Sequence, residues 1–269
     1  MLVLAYPHID PVAVALGPFA IRWYAIAYIA GLMLGWNYVK WLVRRPPHAM
    51  TEPEVDDFLV WATLGVVLGG RLGYVLFYKP AYYFENPLEA LAVWHGGMSF
   101  HGGLIGVVSA IILFSRLRGR NLLAVGDVIC CAVPLGLFFG RIANFINGEL
   151  FGRVAVDVPW SMIFPGGGPE PRHPSQLYEA GLEGVALFLL LFALWCVPGV
   201  RARKGTIAGV FLIGYGLARI TAEFFRQPDA HLGFLWGGAT MGQLLSLPLL
   251  LGGLFVVWLA GRRADKAAG

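Results

Sequence analysis

The sequence predicts an all-α, polytopic membrane protein that crosses the bilayer seven times. Of its 269 residues, 58% are hydrophobic and only 13% are charged, whereas about 25% are charged in an average soluble domain. Seven apolar stretches are long enough to span, because about 20 apolar residues cross the hydrocarbon core. We place them near residues 19–43, 57–78, 97–115, 124–147, 176–197, 206–225 and 239–260. The whole chain, 1–269, is therefore expected to form a single membrane domain.

The first stretch is expected to be a permanent helix rather than a cleaved signal peptide. It is long and aromatic, it retains Arg22, Tyr24 and Asn37, and it lacks a small-residue cleavage site. The segment Thr51-Glu52-Pro53-Glu54 has the spacing of a capping box, which predicts the start of the second helix.

Two connections have a distinct composition. A short segment after Asn86-Pro87, residues 88–94, is too brief to span and is expected to lie in the membrane interface. Residues 148–175 are rich in Pro and Gly and predict a small outer-face head or loop. Glycine pairs with a spacing of four predict close helix packing; they are Gly31/Gly35, Gly65/Gly69 and Gly136/Gly140.

The three cysteines are interpreted as buried and inert. Cys130, Cys131 and Cys196 lie in apolar runs and lack the spacing of a disulfide framework or a zinc site. We expect no metal, no cofactor and no nucleic-acid partner.

The distribution of cations predicts the orientation, because cytoplasmic loops carry an excess of Lys and Arg. One set of connections holds twelve of the 20 Lys and Arg residues: Lys40, Arg44, Arg45, Arg116, Arg118, Arg120, Arg201, Arg203, Lys204, Arg262, Arg263 and Lys266. The N-terminus is therefore expected outside and the C-terminus in the cytoplasm. In a bacterial cell, the opposite face would be periplasmic.

Four polar residues inside the predicted spans are the main candidates for function: Arg71, Arg141, Arg219 and His101. A charge in hydrocarbon costs at least about 2.5–3.5 kcal/mol, so such groups need a partner, a cavity or a ligand. From the rise of a helix, the three arginines lie roughly 20–25 Å from the cytoplasmic ends of their spans, and His101 lies about 6 Å below an outer end. Tyr24 falls at a similar depth.

Two interpretations of these cations stay open. In the first, the arginines only pair with Glu149, Glu179, Glu183 and Glu223 in a structural network or extend to the headgroups. In the second, they hold a lipid phosphate, because a guanidinium fork matches phosphate oxygens.

Two strings are unusually polar for membrane spans. Residues 140–153 read Gly-Arg-Ile-Ala-Asn-Phe-Ile-Asn-Gly-Glu-Leu-Phe-Gly-Arg, in which Arg141 and Asn144 share a helix face. In the sixth span, Tyr215, Arg219, Glu223 and Arg226 recur at helical spacing, and Pro228 ends the helix.

The chain resembles the bacterial prolipoprotein diacylglyceryl transferases over nearly its whole length. The motifs that carry the resemblance are Arg22-Trp23-Tyr24, Ser99-Phe100-His101-Gly102-Gly103, the 140–153 string, His173-Pro174-Ser175-Gln176-Leu177-Tyr178-Glu179 and the stripe of the sixth span. The resemblance implies transfer of a diacylglyceryl group from phosphatidylglycerol to the lipobox cysteine of a prolipoprotein. A thioether would form and glycerol phosphate would leave, at the periplasmic leaflet of the inner membrane.

The same resemblance implies roles for individual residues. Arg141 and Arg219 would clamp the phosphate, and His101 would either deprotonate or orient the thiol. The other catalytic and substrate-binding candidates are Glu149, Tyr24, Asn144, Gly152, Tyr215, Glu223 and Arg226.

Two rival functions were weighed against this enzyme. A transporter or flippase for an anionic lipid or solute predicts polar residues toward both faces, whereas here the inner half is apolar apart from Asp127 and Asn37. A non-catalytic scaffold predicts that loss of His101 or Arg141 reduces only the amount of folded protein.

Overall fold

The computed structural model describes residues 4–228 and 233–268. Seven helices in this part of the chain are long and apolar enough to cross a membrane. Together with shorter helices that do not span, the α-helices of the described residues are Trp23–Val43 (α1), Glu52–Phe77 (α2), Pro80–Glu85 (α3), Phe100–Leu117 (α4), Leu122–Ile146 (α5), Ser175–Glu179 (α6), Leu187–Cys196 (α7), Pro198–Ala202 (α8), Thr206–Glu223 (α9) and Met241–Ala268 (α10). A π-helical segment, Ala180–Ala186, joins α6 and α7 into one span. The predicted spans are confirmed, with ends shifted by a few residues.

The all-α prediction is wrong near the N-terminus, where a hairpin precedes α1. Strands Val12–Leu16 (β1) and Phe19–Arg22 (β2) pair antiparallel, and Gly17 takes a φ of +59° in the turn. Arg22 therefore ends a strand and does not belong to the first helix. The prediction failed because a short apolar run continuous with a helix carries no periodicity that separates it from that helix.

The start of α2 follows from its cap. The Thr51 backbone N–H donates to Glu54 Oε2 at 2.7 Å, and the Glu54 backbone N–H donates to Thr51 Oγ1 at 3.4 Å, which confirms the capping box. The helix begins at Glu52, five residues before the apolar run suggests, because the cap satisfies its first backbone donors.

The two unusual connections contain little regular structure. Residues 87–95 form two 3₁₀ turns, Pro87–Leu91 and Val93–His95. Residues 148–174 contain isolated bridges, which pair Gly152 with Arg226, Val154 with Arg172, and Met162 with Arg172.

The helices form two compact units. The first unit contains the described residues up to Val39 and from Asp127 onwards, and the second unit is Lys40–Gly126. In the second unit, α2 and α4 pack through glycines. A Cβ at Gly65 would lie 2.7 Å from the Gly106 carbonyl oxygen, and one at Gly73 would lie 2.8 Å from Gly102 Cα. Backbones that approach this closely exclude side chains from the interface.

Two sequence interpretations need correction. A Cβ at Gly31 would lie 3.3 Å from Gly136 Cα, which supports close packing of α1 against α5 at these two glycines. A Cβ at Gly140 would have no such neighbour within 4 Å among the described residues, so the close contact predicted there is not observed. Cys131 is buried and Cys130 is partly buried, whereas Cys196 is exposed at the last turn of α7. An apolar run indicates a span but not which of its faces is covered.

We expect Gly106→Ala to destabilise the protein by about 1–3 kcal/mol, because the added methyl group overlaps the backbone of α2. Gly103→Ala is the matched control on the same helix, since its Cβ would meet its nearest neighbour at an ordinary 3.7 Å. Thermal unfolding in detergent measures both variants. Equal shifts in the two melting temperatures would contradict the close packing of α2 and α4.

Candidate active site

Three arginines and three glutamates of the first unit form one connected cluster, here called the arginine–glutamate network. Its members are Arg141 on α5, Glu179 at the end of α6, Glu183 in the π-helical segment, Arg219 and Glu223 on α9, and Arg226 just after α9. If all six are ionised, the formal charges cancel.

Glu179 is the centre of this network. One of its oxygens, Oε2, lies 2.8 Å from Arg141 Nη2 and 2.8 Å from Arg219 Nη1, and the other lies 3.3 Å from Arg226 Nη1. The Glu179 side chain is fully buried. An isolated buried carboxylate is costly, so three guanidinium contacts are what permit its ionised form at this position.

Glu183 is placed beside Glu179 by its spacing. Residues four apart share a helix face, and Glu183 Oε2 lies 3.2 Å from Arg141 Nη2. The π-helical segment that carries Glu183 is a rare conformation that is frequently found at functional sites.

Arg219 is held on both sides. Its Nη1 contacts Glu179 at 2.8 Å, and its Nη2 contacts Glu223 at 2.6 Å. The Glu223 carboxylate needs the space left by Gly242 on α10, because a Cβ at Gly242 would overlap Glu223 Oε1.

Part of the Arg141 guanidinium is not used by its ion pairs. Both of its ion pairs use Nη2, and its buried Nε–H has no hydrogen-bond partner among the described residues. A guanidinium has five N–H donors. Arg141 therefore keeps donor capacity for an anion, while its charge is held in place by the two glutamates.

The other end of α9 is fixed by Asp127. Its carboxylate accepts the backbone N–H groups of Gly205 and Ala208, each at 2.7 Å. These donors lie at the N-terminus of α9, where backbone N–H groups lack partners within the helix. Asp127 thus serves as a cap from a neighbouring helix and sets the position of α9.

Glu149 is bound by amides and not by an arginine. Asn144 Nδ2 and Asn147 Nδ2 donate to Glu149 Oε1 at 2.9 and 3.3 Å, and Gln176 Nε2 donates to the Glu149 carbonyl oxygen at 2.6 Å. The preceding Gly148 has a φ of +65°, a left-handed conformation that glycine adopts without strain.

Gly152 permits the loop to approach the end of α9. It is buried, its N–H donates to the His173 carbonyl oxygen at 2.9 Å, and a Cβ would lie 2.6 Å from Phe225 O. Arg153 follows and donates to the carbonyl oxygens of Glu223 and Arg226 at 2.8 and 3.0 Å. The loop is therefore anchored on the same helix end that carries the network.

His173 and Tyr178 form a second polar contact beside this anchor. Burial lowers the pKa of His173, which favours the neutral ring. Because Trp160 Nε1 donates to the Tyr178 hydroxyl at 2.6 Å, that hydroxyl is free to donate to His173 Nδ1 at 3.0 Å. The contact orders the segment that leads into α6 and Glu179.

The predicted site residues fall into two groups. Nine lie in the first unit: Tyr24, Arg141, Asn144, Glu149, Gly152, Tyr215, Arg219, Glu223 and Arg226. Tyr24 stacks on Tyr28 with ring centroids 5.8 Å apart, and Tyr215 lies one turn before Arg219 and stacks on Phe211.

His101 and Arg71 lie in the second unit. His101 is exposed on the first turn of α4, where it lines an apolar groove of about 900 Å³ along α2 and α4. Arg71 is buried, and its guanidinium donates to the backbone carbonyl oxygens of Glu89, Ala90, Gly96 and Gly97. These bonds give Arg71 a structural task in the connection between α2 and α4.

Sequence reasoning did not select every residue that builds the site. It named Glu179 and Glu183 only as possible counterions, although two glutamates four apart in an apolar run were a visible signal. Gln176 lies within the motif of residues 173–179, but its bond to the Glu149 carbonyl oxygen and the space that Gly242 leaves depend on neighbours that are distant in sequence. No group of three or more His, Cys, Asp or Glu residues within 4–228 and 233–268 is arranged to hold a metal ion.

Comparison with known proteins identifies the family. The family model described as prolipoprotein diacylglyceryl transferase matches residues 11–259. The chain belongs to the prolipoprotein diacylglyceryl transferase family. The resemblance seen in its motifs is thereby confirmed.

Curated relatives in this diacylglyceryl transferase family match the chain over almost its full length. A phosphatidylglycerol–prolipoprotein diacylglyceryl transferase of Paramagnetospirillum magneticum is 77% identical over 98% of both chains. Proteins with the same name from Rhodospirillum rubrum and Azospirillum brasilense are 61% and 62% identical; the matches cover 100% and 98% of this chain and 98% of each relative.

Glu179→Ala is expected to lower the stability of this family member by about 3–5 kcal/mol, because it leaves buried guanidiniums without their central partner. Asp57→Ala is the control: it breaks a 2.6 Å ion pair with Arg118 in which both side chains are about half exposed, and the expected loss is below about 1 kcal/mol. Unfolding in detergent followed by circular dichroism compares them. A small loss for Glu179→Ala would show that the network is not what holds these helices together.

Proposed function

We propose that the chain transfers the diacylglyceryl group of phosphatidylglycerol to the thiol of the lipobox cysteine of a prolipoprotein. The cysteine sulfur forms a bond to the glyceryl carbon as the bond from that carbon to the phosphate oxygen breaks. The bonding electrons leave with glycerol phosphate, and the thiol proton passes to a base. Within the site, the observation that carries this proposal is the partly buried Arg141, which is held by two carboxylates and has a buried Nε–H that they do not use.

Arg141 is the residue that we assign to the phosphate. Negative charge develops on the leaving phosphate oxygen, and a fixed N–H donor in a water-poor site stabilises that charge strongly. Arg219 is assigned a positioning task in the clamp, because it bridges Glu179 and Glu223 through both terminal nitrogens. The network makes Arg141 rigid, so little reorganisation is needed when the phosphate binds.

The thiol needs activation, since the thiolate is the nucleophile. His101 is assigned to this step on the basis of its chemistry and of the family motif Ser99-Phe100-His101-Gly102-Gly103. An imidazole nitrogen is suited either to accept the thiol proton or to orient the thiol. The substrate supplies the sulfur, and the enzyme therefore needs no nucleophile of its own.

The remaining predicted residues are assigned to the headgroup. Asn144 and Glu149 form one hydrogen-bonded unit on the same helix end as Arg141, and a carboxylate held by amides can accept hydrogen bonds from glycerol hydroxyls. Tyr24 and Tyr215 are proposed as hydroxyl donors, and Glu223 and Arg226 support Arg219. Gly152 shapes the site by letting the loop pack closely.

We propose that the N-terminus lies on the periplasmic side of the bacterial inner membrane and the C-terminus in the cytoplasm. The excess of Lys and Arg in alternate connections supports this orientation. Arg141, Arg219 and the loop of residues 148–174 then lie toward the periplasmic leaflet, where a lipobox cysteine arrives after export.

The flippase alternative receives no support from the polar residues at the predicted cytoplasmic ends of the spans. Asp127 is satisfied by backbone N–H groups of α9, and Asn37 Nδ2 donates to the Met33 carbonyl oxygen at 2.8 Å. Polar groups that are already satisfied by backbone do not form a path for an anionic lipid.

A direct assay tests the proposed transfer. Purified protein in detergent is given phosphatidylglycerol labelled in its acyl chains and a lipobox peptide with a free cysteine. The label should move to the peptide without added metal or nucleotide, and a peptide with serine in place of cysteine should accept much less. Absence of label on the cysteine peptide, with folded protein and lipid present, would refute the transfer.

Arg141→Lys should lower the transfer rate by at least about tenfold, because an ammonium does not reproduce the geometry of a guanidinium that bridges two carboxylates and a phosphate. Arg116→Lys is the control, since Arg116 is exposed at the end of α4. Initial rates at saturating lipid compare the two variants at equal amounts of folded protein. Near-normal turnover of Arg141→Lys would remove Arg141 from the phosphate site.

A further inference from the structure

The second unit contains a small polar cavity that the proposed transfer does not use. It has a volume of about 290 Å³ and lies where α2 ends and α3 begins. We call it the tyrosine–lysine pocket. Its side-chain lining consists of Tyr74, Lys79, Tyr82, Tyr83, Glu89 and His95.

The wall of this pocket is built by a glycine turn. Gly96 and Gly97 have φ values of +77° and +79°, a region that favours glycine. A Cβ at Gly97 would lie 2.5 Å from the ring of Tyr74, so only glycine allows that ring to pack here. The turn directs two backbone carbonyl oxygens toward Arg71.

Positive charge dominates the surroundings of the pocket. Arg71 is buried behind the wall and donates to four backbone carbonyl oxygens, which are dipoles and do not cancel its charge. Lys79 adds a second cation. The only carboxylate in the lining, Glu89, contacts His95 Nδ1 at 3.1 Å. The lining and the wall behind it thus hold two cationic side chains, Arg71 and Lys79, against one carboxylate.

The shape and the donors of the pocket specify the ligand. Three phenol groups and an ammonium supply hydrogen-bond donors, and the excess positive charge favours an anion over a cation. At about 30 Å³ for each water molecule, the cavity has room for about ten waters, which is the size of a small polar group and not of a peptide. A phosphate that carries hydroxyl groups matches these features.

We propose that the tyrosine–lysine pocket binds a glycerol phosphate group, either as the headgroup of phosphatidylglycerol or as free glycerol phosphate. The choice of this ligand rests on the proposed function, since both the substrate and the leaving group of that reaction carry it. The ammonium of Lys79 contacts the phosphate, and the hydroxyl of Tyr82 contacts phosphate or glycerol oxygens. The residues that line this pocket are all different from those assigned to the phosphate in the proposed transfer.

Chemical protection of Lys79 tests this proposal in the intact protein. Acetic anhydride modifies accessible lysines, and peptide mass spectrometry gives the rate at each position. With glycerol phosphate at about ten times its Kd, modification of Lys79 should slow by about tenfold. Exposed Lys204 in the same sample is the internal control and should react at an unchanged rate. Glycerol without phosphate should protect neither lysine.

A second arm distinguishes the two sources of the ligand. The protein is placed in nanodiscs of phosphatidylcholine with or without phosphatidylglycerol, and the modification is repeated. Protection by the lipid alone identifies a headgroup site, and protection by free glycerol phosphate as well identifies a site open to the leaving group. No selective protection of Lys79 in either arm would overturn the proposal.

Variants separate this site from the transfer reaction. Tyr82→Phe removes one hydroxyl at an exposed position and should weaken protection by about three- to tenfold. Arg141→Lys should leave protection of Lys79 intact while it lowers transfer.

If the parent protein transfers no diacylglyceryl group but Lys79 is still protected, the proposed function fails and the pocket remains. If transfer proceeds and Lys79 is never protected, only the pocket fails.

Discussion

The structure of the first unit depends on the need to neutralise charges that are buried among membrane-spanning helices. Glu179 and Glu183 are fully buried, and a buried carboxylate is costly unless it is paired. Each is contacted by guanidiniums from α5 and α9. Because these contacts require particular distances, they fix the positions of three helices relative to one another more tightly than apolar packing alone would. The caps and glycines around the network, including Asp127 and Gly242, serve that same arrangement.

This arrangement reconciles two interpretations that first stood as alternatives. The arginines do pair with glutamates, as a structural network requires, but the pairing does not use all their donors. Arg219 is engaged on both terminal nitrogens, whereas Arg141 keeps a buried Nε–H without a partner in the described chain. The ion pairs can therefore neutralise one another and still leave hydrogen-bonding capacity on Arg141, which we propose serves the phosphate. Fixed donors aimed at developing charge are usually the largest single contribution to catalysis.

The sequence was sufficient for the spans and for the identity of most charged residues in the site. Hydropathy reflects the bilayer's requirement for long apolar spans, so the seven spanning helices could be predicted from it. The Thr51 capping box likewise predicted the start of α2. The partners in each ion pair were not predictable, because ion pairing depends on the rotation and depth of each helix to within a few ångströms. Glu149 seemed as good a counterion as Glu179, yet amides bind the first and arginines surround the second. The hairpin before α1 was missed because a short apolar strand directly before a helix looks in the sequence like the first turn of that helix.

The guanidinium of Arg141 is proposed to contact the phosphate of the bound lipid. Solid-state NMR measures this contact directly, through the dipolar coupling between ³¹P of phosphatidylglycerol and ¹⁵N of arginine side chains in reconstituted protein. A hydrogen-bonded guanidinium places nitrogen about 4 Å or less from phosphorus. The account predicts such a coupling in the parent protein and its loss in Arg141→Lys with the other arginines still labelled. An unchanged coupling in that variant, or bound lipid with no coupling to any arginine, would contradict it.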